Sequence, residues 1–148
     1  MKRIYLNNST LNRPFDDQVQ ARIKLETEAL FQILSDIDSR NSKLILSEVT
    51  ELENSKNPYY SVKIRIDELI SKADRKIKVS ATTKKQAKTF ENAGRNGMDA
   101  LHLAAAIQGK VDVLITCDDS FLKKAKKVTS DRNIRIMNPI EYVLAEDL

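Results

Sequence analysis

The 148-residue chain carries 25 Lys and Arg against 21 Asp and Glu, a formal +4, and 41% of it is hydrophobic; this describes one globular domain with enough chain to bury a core. Its three glycines, Gly94, Gly97 and Gly109, are not spaced to form a Walker-type phosphate loop or a dinucleotide fingerprint. Its single cysteine, Cys117, excludes an internal disulfide, so nothing calls for an oxidising compartment.

In chain order, residues 3–6 read as a first strand and 7–14 as a polar loop. A helix is predicted over 17–37, with Ile23, Leu30, Ile33, Leu34 and Ile37 at helical spacing and Asp16 and Asp17 at its positive end. Residues 43–46 form a second strand. Ser47 caps the next helix, which ends near Asn57-Pro58 because proline disfavours a helical residue before it. An amphipathic helix is next over 60–73, then a short strand over 77–79 and a basic helix over 82–93. The apolar helix 98–107 reads as central and 111–116 as the clearest strand. A helix over 120–128, a strand over 134–137 and a helix opened by Pro139 complete the chain. Strands alternating with helices predict an α/β fold, a mostly parallel sheet of about five strands flanked by helices, in a single domain over 1–148.

The N-terminus turns polar at Asn7, too early for a secretory signal. The longest apolar stretch, 101–107, is interrupted by His102 and is far shorter than the ~20 residues of a membrane span. The expectation is a cytoplasmic chain with no membrane partner, and the excess positive charge mildly favours a polyanionic one.

Sites in open parallel sheets form beyond the carboxyl ends of the strands. There the sequence places Asn7-Asn8-Ser9, Ser47 to Glu53, and Cys117-Asp118-Asp119. Asp99 stands apart as a carboxylate opening the most apolar helix. Acids gathered together repel unless a cation neutralises them, and hard oxygen donors suit Mg²⁺ or Mn²⁺. Such ions activate water and stabilise charge on a phosphodiester under hydrolysis. Glu53, Asp99, Asp118 and Asp119 are therefore the candidate metal ligands. Each also has an ordinary reading: a helix-start charge for Asp99, capping for Asp118 and Asp119, and a solvated helix face shared by Glu48, Glu51 and Glu53.

Here the residues reach a family. Ile4-Tyr5-Leu6-Asn7-Asn8-Ser9 running into Leu11 to Gln18, then Glu53-Asn54 with Asn57-Pro58, Asp99-Ala100-Leu101-His102-Leu103-Ala104, Ile115-Thr116-Cys117-Asp118-Asp119 and Met137-Asn138-Pro139 together resemble, in order, the motifs of a PIN-domain protein. That family includes the VapC-type toxin ribonucleases. The resemblance implies a metal-dependent hydrolase, an endonuclease acting on RNA with Mg²⁺ or Mn²⁺. It implies Asn7, Glu53, Asp99 and Asp118 as the catalytic set, and an antitoxin-like protein or a second copy of the chain as partners. One departure matters. The family's first metal-binding aspartate falls on Asn7, whose amide brings no negative charge, so the activity it implies is weakened or lost. The alternative is a catalytically impaired module that binds nucleic acid or protein.

Ser9 and Thr116 read as hydroxyls supporting the site or as loop and strand residues. Lys123 and Lys124, in a run continuing to Lys127, come just after the acids and are candidate phosphate contacts, against the bland reading of a solvated face. Arg13 is a candidate nucleic-acid contact, or braces the acids together with Arg22. His102, the only histidine, lies three residues after Asp99 and reads as a satisfied core side chain. Cys117 reads as a small packed group.

Overall fold

The computed structural model describes residues 1–92 and 97–146. Five parallel strands, β1 (Lys2–Leu6), β2 (Ser42–Ser47), β3 (Arg75–Ile77), β4 (Val113–Ile115) and β5 (Arg135–Met137), form one sheet in the order β3-β2-β1-β4-β5. The helices are α1 (Asn8–Asn12), α2 (Ala21–Asp38), α3 (Glu48–Ser55), α4 (Tyr60–Ser71), α5 (Ala81–Asn92), α6 (Gly97–Gln108), α7 (Asp119–Val128) and α8 (Pro139–Glu146). The α/β expectation is met. Among the described residues no helix is long and apolar enough to cross a membrane.

Side chains alternate across a strand, and β1 accordingly feeds two cores. Ile4 and Leu6 join one with Leu44, Leu46, Val113 and Ile115 of the sheet and with Leu30 and Ile33 of α2. Tyr5 points the other way, into a core with Leu103 to Ala106 of α6, Phe90 of α5 and Phe121 of α7. Alanines at 100 and 104–106, all fully buried, let α6 lie close on the sheet. Gly109 ends that helix against β3, where a Cβ would strike the Ile77 side chain.

Three boundaries differ from the sequence reading. Residues 7–14 are not a loop. Asn7 caps the one-and-a-half-turn helix α1, its side chain accepting from Ser9 N, and a 3-10 turn over Arg13–Phe15 comes next. Five residues are too few to display a helical period. Helix α2 begins at Ala21, because Asp17 instead accepts from Val19 N and Gln18 donates to the Arg13 carbonyl, closing a turn. Strand β3 lies two residues earlier than expected, at Arg75–Ile77. The expected end of the basic helix at Ala93 lies outside the described residues.

Four carboxyls are held below their ordinary range. Lys63 does this for Asp67 and Arg22 for Asp119; Arg135 with Lys2 does it for Glu146. Burial pushes Asp112 upward, but bonds from the Arg3 amide and guanidinium outweigh it. A carboxyl whose folded pKa is depressed contributes stability that is complete above its unfolded value, near 4, and is lost as pH falls through the folded one. The melting temperature should therefore hold down to about pH 5 and decline steadily toward about pH 2. All four groups are largely solvated, so added salt should flatten that decline. A melting temperature unchanged between those pH values would show that these pairs contribute nothing.

Candidate functional site

The sheet order reverses at β1: the chain runs outward through β2 and β3 on one side and returns through β4 and β5 on the other. The crevice beyond the ends of β1 and β4 is the switch point where α/β sheets bind ligands. Asn7 N donates to the Ile115 carbonyl at 2.9 Å, which ties the two strand ends together. Asn7 Oδ1 accepts three bonds, from Ser9 N at 3.1 Å, Ser9 Oγ at 2.8 Å and Thr116 Oγ1 at 3.3 Å. Ser9 Oγ accepts from Cys117 N, and Thr116 Oγ1 accepts from Asp118 N, each at 3.1 Å. Asp118 caps α7, its Oδ1 accepting from Phe121 N, while Oδ2 makes no bond among the described residues. Asn7, Ser9, Thr116 and Asp118 are thus one bonded cluster.

Asn7 is oriented by this cluster. A backbone N–H can only donate, so Ser9 N fixes Oδ1 inward. The Nδ2 amine is then turned away from Ser9 and Thr116 and makes no bond among the described residues. A flipped amide would set N–H against N–H. Position 7 therefore keeps an unbonded donor.

The other candidate residues lie on α3 and α6. Glu53, half-buried on α3, bonds through Oε1 to His102 Nε2 at 2.7 Å. Asp99 lies half-buried in the first turn of α6, one turn before His102 and on the same side of the helix. His102 is a fully buried core side chain, as expected, and it also reaches a candidate site residue. Tyr5 and Ser47, which sequence reasoning did not select, lie behind it. The available signal was the alternation of β1, which sends Tyr5 to the α6 side.

Asp119 does not join the cluster. Both of its oxygens take Arg22, at 2.5 and 2.7 Å. Arg22 in turn reaches Glu26, a carboxylate with no exposed surface. Arg13 bonds Glu26 at 2.7 and 2.8 Å and Asp16 at 3.1 Å, so its guanidinium braces rather than presents itself to solvent. Asn138 closes the same knot on Glu26. Cys117 is buried, which pushes its thiol up to about 11; it has no nucleophilic thiolate at neutral pH. Lys123 and Lys124 are exposed on α7, directly after the Asp118 cap. Beside Glu53 a groove of about 700 Å³ opens, walled by Asn8, Asn12, Asn54 and the rings of Phe15 and Tyr59.

The PIN-domain profile matches residues 24–127, most of the chain, taking in Glu53, Asp99 and Asp118. The chain belongs to the PIN-domain family. The matched stretch begins after Asn7. Two solved structures share the PIN fold at low identity. One is FitAcB from Neisseria gonorrhoeae, at 15% identity and a TM-score of 0.54, covering 92% of this chain and 97% of that one. The other is VapBC2 from Rickettsia felis bound to a DNA fragment from their promoter, at 14% identity and a TM-score of 0.59, covering 92% and 98%. No curated protein matches the sequence.

PIN nucleases use divalent metals, and the donor set of this PIN domain can be tested against that use. Among the described residues no three His, Cys, Asp or Glu side chains stand close enough together to hold a metal ion. Glu53 and Asp118 each have one oxygen engaged, Asp119 has both on Arg22, and the Asn7 oxygen is taken by Ser9 and Thr116, which leaves its amine. A cation meets the wrong end of the Asn7 dipole. As it stands, the set does not fit a tightly held Mg²⁺ or Mn²⁺.

Proposed function

We propose that this chain is a ribonuclease of the VapC type, attenuated at its acidic centre. It binds RNA across the crevice beyond β1 and β4 and cleaves it poorly. The observation that carries this reading is the orientation of Asn7. Hydrolysis at an acid centre depends on a divalent ion to activate water and neutralise phosphoryl charge. Glu53, Asp99 and Asp118 remain as hard oxygen donors around the crevice, but position 7 contributes an amine hydrogen in place of a fourth carboxylate. The PIN fold, the acids at the strand ends and the cations of α7 support the nuclease reading. The groove walled by Phe15 and Tyr59 supports an antitoxin-like protein partner, since exposed rings beside a polar site suit a protein contact. The same Asn7 amide favours a second reading, a nucleic-acid-binding module that does not cleave, because an amine donor suits a phosphate oxygen better than a cation.

The test is a gel assay with labelled single-stranded RNA and DNA, with and without Mg²⁺ or Mn²⁺. RNA binding in metal-free buffer and slow, metal-stimulated cleavage are the expected results. Binding with no cleavage at any metal concentration selects the second reading, and no binding to either nucleic acid removes both. The α7 lysines extend the test. Replacing Lys123 and Lys124 together with Gln should weaken binding, and should flatten the plot of log affinity against log salt by about 1.4 units, about 0.7 for each single-strand phosphate no longer neutralised. An unchanged slope would make that run a solvated face.

A further inference from the structure

A line of hydrogen bonds runs from the crevice into the core. Glu53 Oε1 bonds His102 Nε2 at 2.7 Å, His102 Nδ1 bonds the Tyr5 hydroxyl at 2.7 Å, and that hydroxyl bonds Ser47 Oγ at 2.6 Å. His102, Tyr5 and Ser47 have no exposed surface. The Ser47 hydroxyl also caps α3, accepting from Val49 N at 3.1 Å. The line thus begins and ends on α3, passing through α6 and the central strand on the way.

Counting protons gives the outer link of the line a direction. An ionised Glu53 only accepts, so the hydrogen of the pair sits on His102 Nε2. Behind the imidazole the Tyr5 hydroxyl has two further hydroxyls in reach, Ser47 Oγ at 2.6 Å and Thr50 Oγ1 at 3.4 Å, so a buried polar cluster backs the ring that meets Glu53. Burial pushes the Tyr5 phenol up to about 12, so it keeps its proton to donate.

We propose that His102 is a positioning residue for Glu53, its ring held from behind by the Tyr5 hydroxyl and the Ser47 and Thr50 hydroxyls that bond it. The lock holds one carboxylate oxygen of Glu53 and leaves Oε2 to whatever the crevice takes. This rests on reading Glu53 as a crevice carboxylate. The arrangement is the usual histidine–carboxylate support of a reactive site with its order reversed: the imidazole lies behind and the carboxylate in front.

The chain has one histidine, so nitrogen-15 labelling of histidine gives one imidazole signal pair. The wild-type protein should show an Nε2 proton that is slow to exchange with solvent. Tyr5→Phe should speed that exchange while the circular dichroism stays that of the folded protein. Glu53→Ala should speed exchange of the Nε2 proton at least tenfold. His102→Gln, which can still donate to Glu53, should preserve the RNA binding and slow cleavage of the wild type, whereas His102→Leu should reduce cleavage with the fold retained. A fast-exchanging Nε2 proton in the wild type, or a folded His102→Leu that cleaves as the wild type does, would overturn the proposal. Adding a 2′-O-methyl RNA that resists cleavage should shift the Nε2 signal. If the Nε2 proton is slow to exchange and its signal does not move, the lock stands and the crevice reading of Glu53 fails.

Discussion

Asn7→Asp should raise Mn²⁺ affinity at least about tenfold, a difference of about 1.4 kcal/mol, and should bring out clear metal-dependent cleavage of RNA. The exchange is local. One aspartate oxygen keeps the bond from Ser9 N that now fixes the Asn7 carbonyl, and the other replaces the unbonded amine. A donor becomes an anion with little change in shape. Without metal, the new carboxylate is repelled by its neighbours, so the variant should melt lower, by an amount typical of single substitutions, about 1 kcal/mol. Saturating Mn²⁺ should reverse the order, because a ligand bound only by the folded state adds about 2.7 kcal/mol at a hundred times its dissociation constant. Calorimetric titration beside melts with and without Mn²⁺ measures both effects. A folded variant that binds Mn²⁺ no tighter would remove position 7 from any metal centre.

The largest expected loss of stability comes from a residue outside that centre. Glu26 is wholly buried and receives Arg13, Arg22 and Asn138. Removing its charge leaves the partly buried Arg13 guanidinium without its main counter-ion. Breaking a buried pair costs about 3–5 kcal/mol; since both arginines reach solvent, the lower end applies. Glu26→Gln should therefore cost about 3 kcal/mol and lower the melting temperature by roughly 6–12 °C for a domain of this size. Glu28→Gln, an exposed acid on the same helix, should change stability by less than about 0.5 kcal/mol. Equal effects from the two variants would show that the knot is no stronger than surface charge.

Much of the fold was legible because its signals are long or redundant. The apolar face of α2, the proline limits around residues 58 and 139 and the alternation of strands with helices each arise from local chemistry. Helix α1 was not legible, since its five residues give no period and its cap, Asn7, also reads as a turn residue. The site was legible as residue types at strand ends, and motif resemblance selected Glu53 over Glu48 and Glu51. Its geometry was not. Nothing in the spacing of Arg22 and Asp119 says that one occupies both oxygens of the other across 97 positions. Nor does it say which end of the Asn7 amide is left unbonded, which the Ser9 backbone decides. Tyr5 and Ser47 were hidden because a buried polar chain is a property of packing, invisible until strand and helix meet.

The central strand also comes before the other four in chain order. β1 pairs with β2 on one side and, through Ile4 and Val113, with β4 on the other. A growing chain can dock β1 on β2 early, but the other flank stays open until more than a hundred residues have left the ribosome. Asp118, Thr116 and the Cys117 and Asp118 amides that brace Asn7 through Ser9 and Thr116 arrive only with that last third. Contacts so distant in sequence close slowly. A chain cut short anywhere before β4 therefore leaves Asn7 without the Thr116 and Cys117 contacts that brace it.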